Sequence, residues 1–345
     1  MSQTATEPGE RSDPSEARSS LSTMPAFDRG KVERFATLPP GEAYPEGIDA
    51  DAEGNVYVVT VGANKPDTSP GSLFVFDPNG NLLRTLRLDG TSPQLLDLRF
   101  QPGTGKLLVV EQEPEGRQRR SPDGATSVFM TVAGENPGLD GLTFDGDGNV
   151  YVTDAHQGII WRVGKDGGAA TEWVNSPLLR PTRPPPAIGA NGLAFNNRYT
   201  ALFVANTAQD TIVKIPVHGS PLEPGTPEVF VNRAGGGPDG IIIDEHDNLW
   251  IACNQSDEVM VLEPKQGAVI AKLGDFGGID EDGAPIGFLW SNSLVFYGDD
   301  VLVTNLSADI SALSESLRTV DGPWAAQVKL HTVSKIKKRI PGVPE

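Results

Sequence analysis

Six times along the chain a short apolar strand opens on a leading residue, turns through Asp, Asn or Gly, and returns as a second apolar strand. Four copies are strong: PEGIDADAEGNVYVVTV from Pro45, LDGLTFDGDGNVYVTDA from Leu139, ANGLAFNNRYTALFVANT from Ala190 and PDGIIIDEHDNLWIACN from Pro238. Two are weaker: LLDLRFQPGTGKLLVVE from Leu95 and SNSLVFYGDDVLVTNLS from Ser291. Their leading residues are Glu46, Leu96, Asp140, Asn191, Asp239 and Asn292, spaced by 50, 44, 51, 48 and 53 residues. Several short strands per unit at a period of roughly 40–50 residues are the mark of a propeller blade. No unit can bury both faces of its own sheet, so the core must form between units stacked around an axis. The expected fold is therefore all-β: a six-bladed β-propeller over residues 27–345. An open ring would leave a bare sheet edge. The segment KVERFATL from Lys31 is expected to close it as the outer strand of the last blade, beside QVKLHTVSKI.

Composition agrees with one large β domain. Apolar residues make up 38% of the 345, and the 39 Gly and 29 Pro are spread along the chain as turn formers. Residues 1–26 are polar, rich in Ser, Pro and Glu, and are expected to be a disordered tail. They lack the apolar core of a signal peptide, and no stretch approaches the ~18 apolar residues of a membrane helix. A cytoplasmic location is the simplest expectation. The net charge of −18 argues against nucleic acid and anionic membranes as partners and leaves a small-molecule substrate. Cys253 is the only cysteine, so no intrachain disulfide can form, and its apolar setting, LWIAC, reads as a buried thiol. The oligomeric state is not legible.

In a propeller the first strand of each blade lines the central channel, so the six leading residues should form a ring at one mouth. Five of the six are Glu, Asp or Asn. Carboxylates gathered there repel unless something positive lies among them. The donors are all oxygen, which favours Ca²⁺, or another hard cation such as Mg²⁺ or Mn²⁺, over zinc or copper. The alternative is that these side chains cap strand ends or bind channel water. Second strands run back toward the same mouth, and their ends carry Asn64, His156, Asn206, Asn254 and Asn305, which with Asn292 of the ring are the expected substrate contacts. Of the other histidines, His246 falls in a turn on the opposite face, and His218 and His331 have no evident place near the mouth. The run DGDGNVYVTDAH from Asp145 sets Asp145, Asp147 and Asn149 at EF-hand spacing, but Val150 and His156 stand where that loop needs Gly and Glu. It reads instead as a hairpin turn, like DAEGN and DEHDN.

With these repeats the chain resembles the SMP-30/gluconolactonase/LRE-like (regucalcin-like) family from about Val32 to Ile340. The resemblance rests on Glu46 in PEGI, Asn191 in ANGLAF and Asp239 in GGPDGIIID, three short motifs in order at blade spacing. It implies that Glu46, Asn191 and Asp239 hold one divalent metal, and that the protein is a metal-dependent hydrolase opening a lactone or related ester. It also implies that Asp239 serves as the base or nucleophile and Asp140 as a second acid/base group or water-mediated ligand. One departure stands out. Pro137 and Leu139 of NPGLDG occupy places where sugar lactonases carry Arg and Asn, so part of the sugar-binding set is missing. The Pro-rich loop RPTRPPPAIG before Asn191 reads as a lid or as surface decoration. The alternative functions are a non-catalytic NHL-like propeller binding a ligand or protein, and a strictosidine-synthase-like enzyme working without metal.

Overall fold

The recurring turn explains why the strands pair as they do. In DAEGNVY, DGDGNVY and DEHDNLW the first Asp accepts hydrogen bonds from the backbone N–H and Nδ2 of the Asn four residues on. It also accepts one from the aromatic residue six on: Tyr57 Oη at 3.1 Å, Tyr151 Oη at 3.0 Å and Trp250 Nε1 at 3.0 Å. The carboxylate thus fixes the bend and pins the start of the second strand. Asp145, Asp147 and Asn149 are part of such a turn, with Asp145 accepting from the other two.

The structure, a computed structural model, describes residues 28–112, 117–120, 125–134, 136–182, 188–232, 234, 236–309 and 321–340. The tail 1–26 and residues 183–187 of the Pro-rich loop lie outside the described residues. The fold is an all-β propeller with almost no helix; no described helix is long and apolar enough to cross a membrane. Among the described residues, strands gather into six sheets of four or five, plus a two-stranded hairpin, Phe276–Ile279 with Pro285–Gly287. Their first strands are Pro45–Ala50, Leu95–Phe100, Leu139–Phe144, Ala190–Phe195, Pro238–Ile243 and Ser291–Tyr297. Each first strand lies against the next in this order, and Ser291–Tyr297 lies against Pro45–Ala50, so the inner strands close a ring. Glu33–Thr37 pairs antiparallel with Thr332–Lys337 as the outermost strand of the last sheet. That is the closure expected of KVERFATL.

The core sits between sheets. Six clusters of buried side chains each join residues of neighbouring sheets, such as Tyr151 and Ile160 of one with Leu202 and Val204 of the next. Near the axis there is little room. A Cβ on Gly192 would lie 2.4 Å from Asp239 O, and one on Gly240 would lie 2.7 Å from Asn292 O. Glycine after the leading residue therefore lets adjacent inner strands touch.

Candidate metal and substrate site

All six inner strands break register at the same place. The pairing shifts between Pro45 and Ile48, Leu95 and Leu98, Leu139 and Leu142, Ala190 and Leu193, Pro238 and Ile241, and Ser291 and Leu294. Each shift spans the leading residue and the one after it. A bulge bends the strand and re-aims its side chains, and bulges concentrate beside functional sites. Here the same bulge, repeated around the axis, brings Glu46, Asp140, Asn191, Asp239 and Asn292 to one level, each no more than 7% exposed. Leu96, in the sixth place, is half-buried.

The second sheet nevertheless supplies a carboxylate. Asp97 stands where four other sheets have Gly and one has Ser293. Its side chain fills the gap to the third sheet, accepting from Leu98 N at 2.8 Å and Leu142 N at 3.0 Å. Arg99 Nε lies 3.7 Å from it, and Arg99 Nη1 donates to Ile48 O. Asp97 is not among the leading residues expected from the sequence; the missing Gly was the available signal.

Burial raises the carboxyls of Glu46, Asp97, Asp140 and Asp239, and neighbouring carboxylates add to it at Glu46, Asp140 and Asp239. Burial lifts the Glu46 carboxyl well above its usual range, and Asp239, Asp140 and Asp97 add to this against the amide of Asn292. Burial also lifts Asp140, with Asp239 and Asp97 pushing the same way. Asp239 is raised by burial to about 7, although the amides of Asn254 and Asn191 hold it down. Asn292 Nδ2 donates to both Glu46 oxygens, and Asn254 Nδ2 donates to Asp239 Oδ2 at 3.1 Å. The Oδ1 atoms of Asn292 and Asn254 are buried without any partner. Among the described residues no three His, Cys, Asp or Glu side chains make a metal cluster by themselves. The set that converges mixes carboxylates with amides. Hard oxygen donors, mutual carboxylate repulsion and an orphaned amide oxygen together fit a hard divalent cation.

The residues expected on the rim fall in different settings. Asn254 and Asn292 reach the ring through Asp239 and Glu46. His156 is half-buried, its ring over Gly138 and its Nδ1 3.3 Å from Asn136 O. Asn64 is exposed in a turn. Asn206 and Asn305 are corrected as substrate contacts. Asn206 Nδ2 donates to Leu178 O and Arg180 O, holding that loop. Asn305 Nδ2 is engaged by Thr332 Oγ1 and Ser334 Oγ, and its Oδ1 accepts from Leu289 N. Neither has an amide proton left for a ligand. A second correction concerns His331, which does lie at the mouth. It packs on Tyr44, two residues before Glu46, with ring centroids 4.9 Å apart.

Residues 185–274 match the family model described as the SMP-30/Gluconolactonase/LRE-like region, the family that the motifs resemble. The match includes Asn191 and Asp239. No curated protein shows a significant sequence match to the chain. Among solved structures, a luciferin-regenerating enzyme superposes with a TM-score of 0.63 at 17% identity, over 89% of this chain and 95% of its own. A regucalcin from Agrobacterium tumefaciens, titled a calcium-binding protein, gives 0.60 at 18% identity over 89% and 96%. A gluconolactonase from Xanthomonas campestris gives 0.57 at 14% identity over 81% and 87%. These likenesses speak to the fold.

Proposed function

We propose, from the premise that residues 185–274 form an SMP-30/gluconolactonase/LRE-like region, that the chain is a lactonase-type hydrolase and that its six sheets are six blades around a cation-binding mouth. The observation that carries this reading is the convergence of Glu46, Asn191 and Asp239 at one bulge register, with two carboxylates raised by burial. Calcium or a similar hard cation on these residues would polarise the carbonyl of a bound ester as a Lewis acid.

The chain's own groups supply the proton chemistry. Asp239, with a carboxyl brought to about 7, suits a general base at neutral pH. It takes a proton from the water whose oxygen bonds to the carbonyl carbon. Asp140 has its carboxyl held high by burial and by Asp239 and Asp97, so it carries a proton to give. That proton goes to the ring oxygen as its bond to the carbonyl carbon breaks, and a hydroxy acid leaves. Asn292 and Asn254 orient Glu46 and Asp239. The missing Arg and Asn of the third sheet take away part of the sugar-binding set, so the hydroxyls of a hydroxylated lactone must be held by other groups. The cytoplasm remains the proposed location, and a small molecule the proposed partner.

The test is elemental analysis of the purified protein, paired with a pH-indicator assay on a lactone panel with and without chelator. Near one equivalent of calcium, with chelator-sensitive ring opening that Asp239→Asn abolishes, is the expected result. Turnover that persists without metal would remove the Lewis-acid part. No metal and no turnover would leave a ligand-binding propeller.

A further inference from the structure

His331 joins two sheets at the mouth. It stands just before Thr332–Lys337, the third strand of the last sheet, and its ring reaches to two residues next to strand ends of the last and first sheets. One is Leu306, directly after Asn305 at the mouth end of the second strand. The other is Tyr44, which enters the first inner strand in a left-handed conformation, φ 62°. A bulky residue in that conformation costs free energy, and such outliers gather at functional sites.

The hydrogen bonding fixes the imidazole. His331 Nδ1 lies 3.2 Å from Leu306 O, and a carbonyl oxygen only accepts, so Nδ1 carries the proton. Nε2 is then an acceptor. Among the described residues it meets no donor. Burial lowers the imidazole to about 4, which keeps the ring neutral and the acceptor intact near pH 7. A neutral acceptor on a largely buried ring, held from both sides beside an acidic mouth, suits an uncharged hydrogen-bond donor.

We propose that His331 is a specificity-determining residue whose Nε2 accepts a hydrogen bond from a hydroxyl of the bound ligand, with Tyr44 fixing the imidazole plane. The proposal rests on the mouth being the ligand site and deepens the hydrolase reading. It selects hydroxylated ligands over otherwise similar ones without a hydroxyl.

Kinetics on glucono-δ-lactone and δ-valerolactone test this, with His331→Asn and His331→Gln in the full chain. Asn keeps a donor near the Nδ1 position and loses the Nε2 acceptor; Gln keeps an acceptor near Nε2. His331→Asn is expected to raise KM for the hydroxylated lactone about tenfold, with kcat within about twofold and δ-valerolactone unaffected. His331→Gln should recover most of the loss. Equal effects on both lactones, or none, would overturn the proposal. A wild type inert on both lactones would count against the hydrolase reading instead. Carbethoxylation of the folded wild type with diethyl pyrocarbonate at pH 7 then decides. Peptide mapping should show His331 modified, and gluconate should slow the reaction. An unmodified His331, or one that gluconate does not protect, would overturn the proposal without reference to turnover.

Discussion

Asn292 Nδ2 stands 2.7 Å from each carboxylate oxygen of Glu46, joining the last inner strand to the first across 246 residues of chain. The contact is buried and lies where the ring closes. Removing the amide leaves a buried carboxyl without its donor, which costs about 1–3 kcal/mol. Asn292→Ala should therefore lower the unfolding free energy by that amount, read as a lower urea midpoint at unchanged slope. Stability equal to wild type would mean the pair is incidental.

The carboxyl cluster sets a pH dependence. Asp239 has a folded value of about 7, above its ordinary 3.8, so the native state holds a proton that the unfolded chain gives up. Its contribution is fully present below 3.8 and is lost as pH rises through about 7. Glu46, Asp97 and Asp140 are raised in the same direction. With chelator present, stability should fall from pH 5 to pH 8, each such group giving at most about 1.4 kcal/mol per pH unit. Calcium should restore it at pH 8, where the carboxylates are charged, and do little at pH 5. Asp239→Asn should flatten both responses. A calcium effect of equal size at both pH values would sink this account.

The repeat was legible because it is local: strand, Asp-to-Asn turn and leading residue recur at one spacing, and KVERFATL carries the outer strand that the last sheet lacks. The ring residues were legible for the same reason. The bulges were not, because a register shift exists only in the pairing of two strands. Asp97 was hidden behind Leu96, since its reach to Leu142 N crosses between sheets. Asn206 and Asn305 looked identical in sequence to Asn254, and only backbone position turns their amides into the protein rather than toward the ring. His331 had no signal, because the connection before it follows no period.

Threonine also holds the closure. Thr304 Oγ1 donates to Glu46 O at 2.6 Å and accepts from Ser293 N at 3.0 Å, as Thr153 does with Asn191 O and Gly141 N. Each hydroxyl ties its own inner strand to the next at the level of the site. Thr304→Val keeps the shape and strips both bonds, for a loss of about 1–3 kcal/mol. Calcium binding should weaken with it, since Glu46 loses its backbone anchor. Calorimetric titration checks this, and unchanged affinity in a destabilised protein would confine Thr304 to the fold.

His331 should oppose the carboxyl cluster at low pH. Its folded value of about 4 lies below the ordinary 6.5, so the native state excludes a proton that the unfolded chain binds. The stability it contributes is present above 6.5 and is lost as pH falls through about 4. Burial is the larger cause, and the carbonyl of Leu306 works weakly against it. The unfolding free energy of wild type minus that of His331→Gln should shrink by about 3 kcal/mol between pH 7 and pH 4. Subtracting the variant removes the carboxyl contributions common to both proteins. A difference that stays constant with pH would mean the imidazole titrates alike in folded and unfolded chains, and that the ring is far more open to water than its packing on Tyr44 indicates.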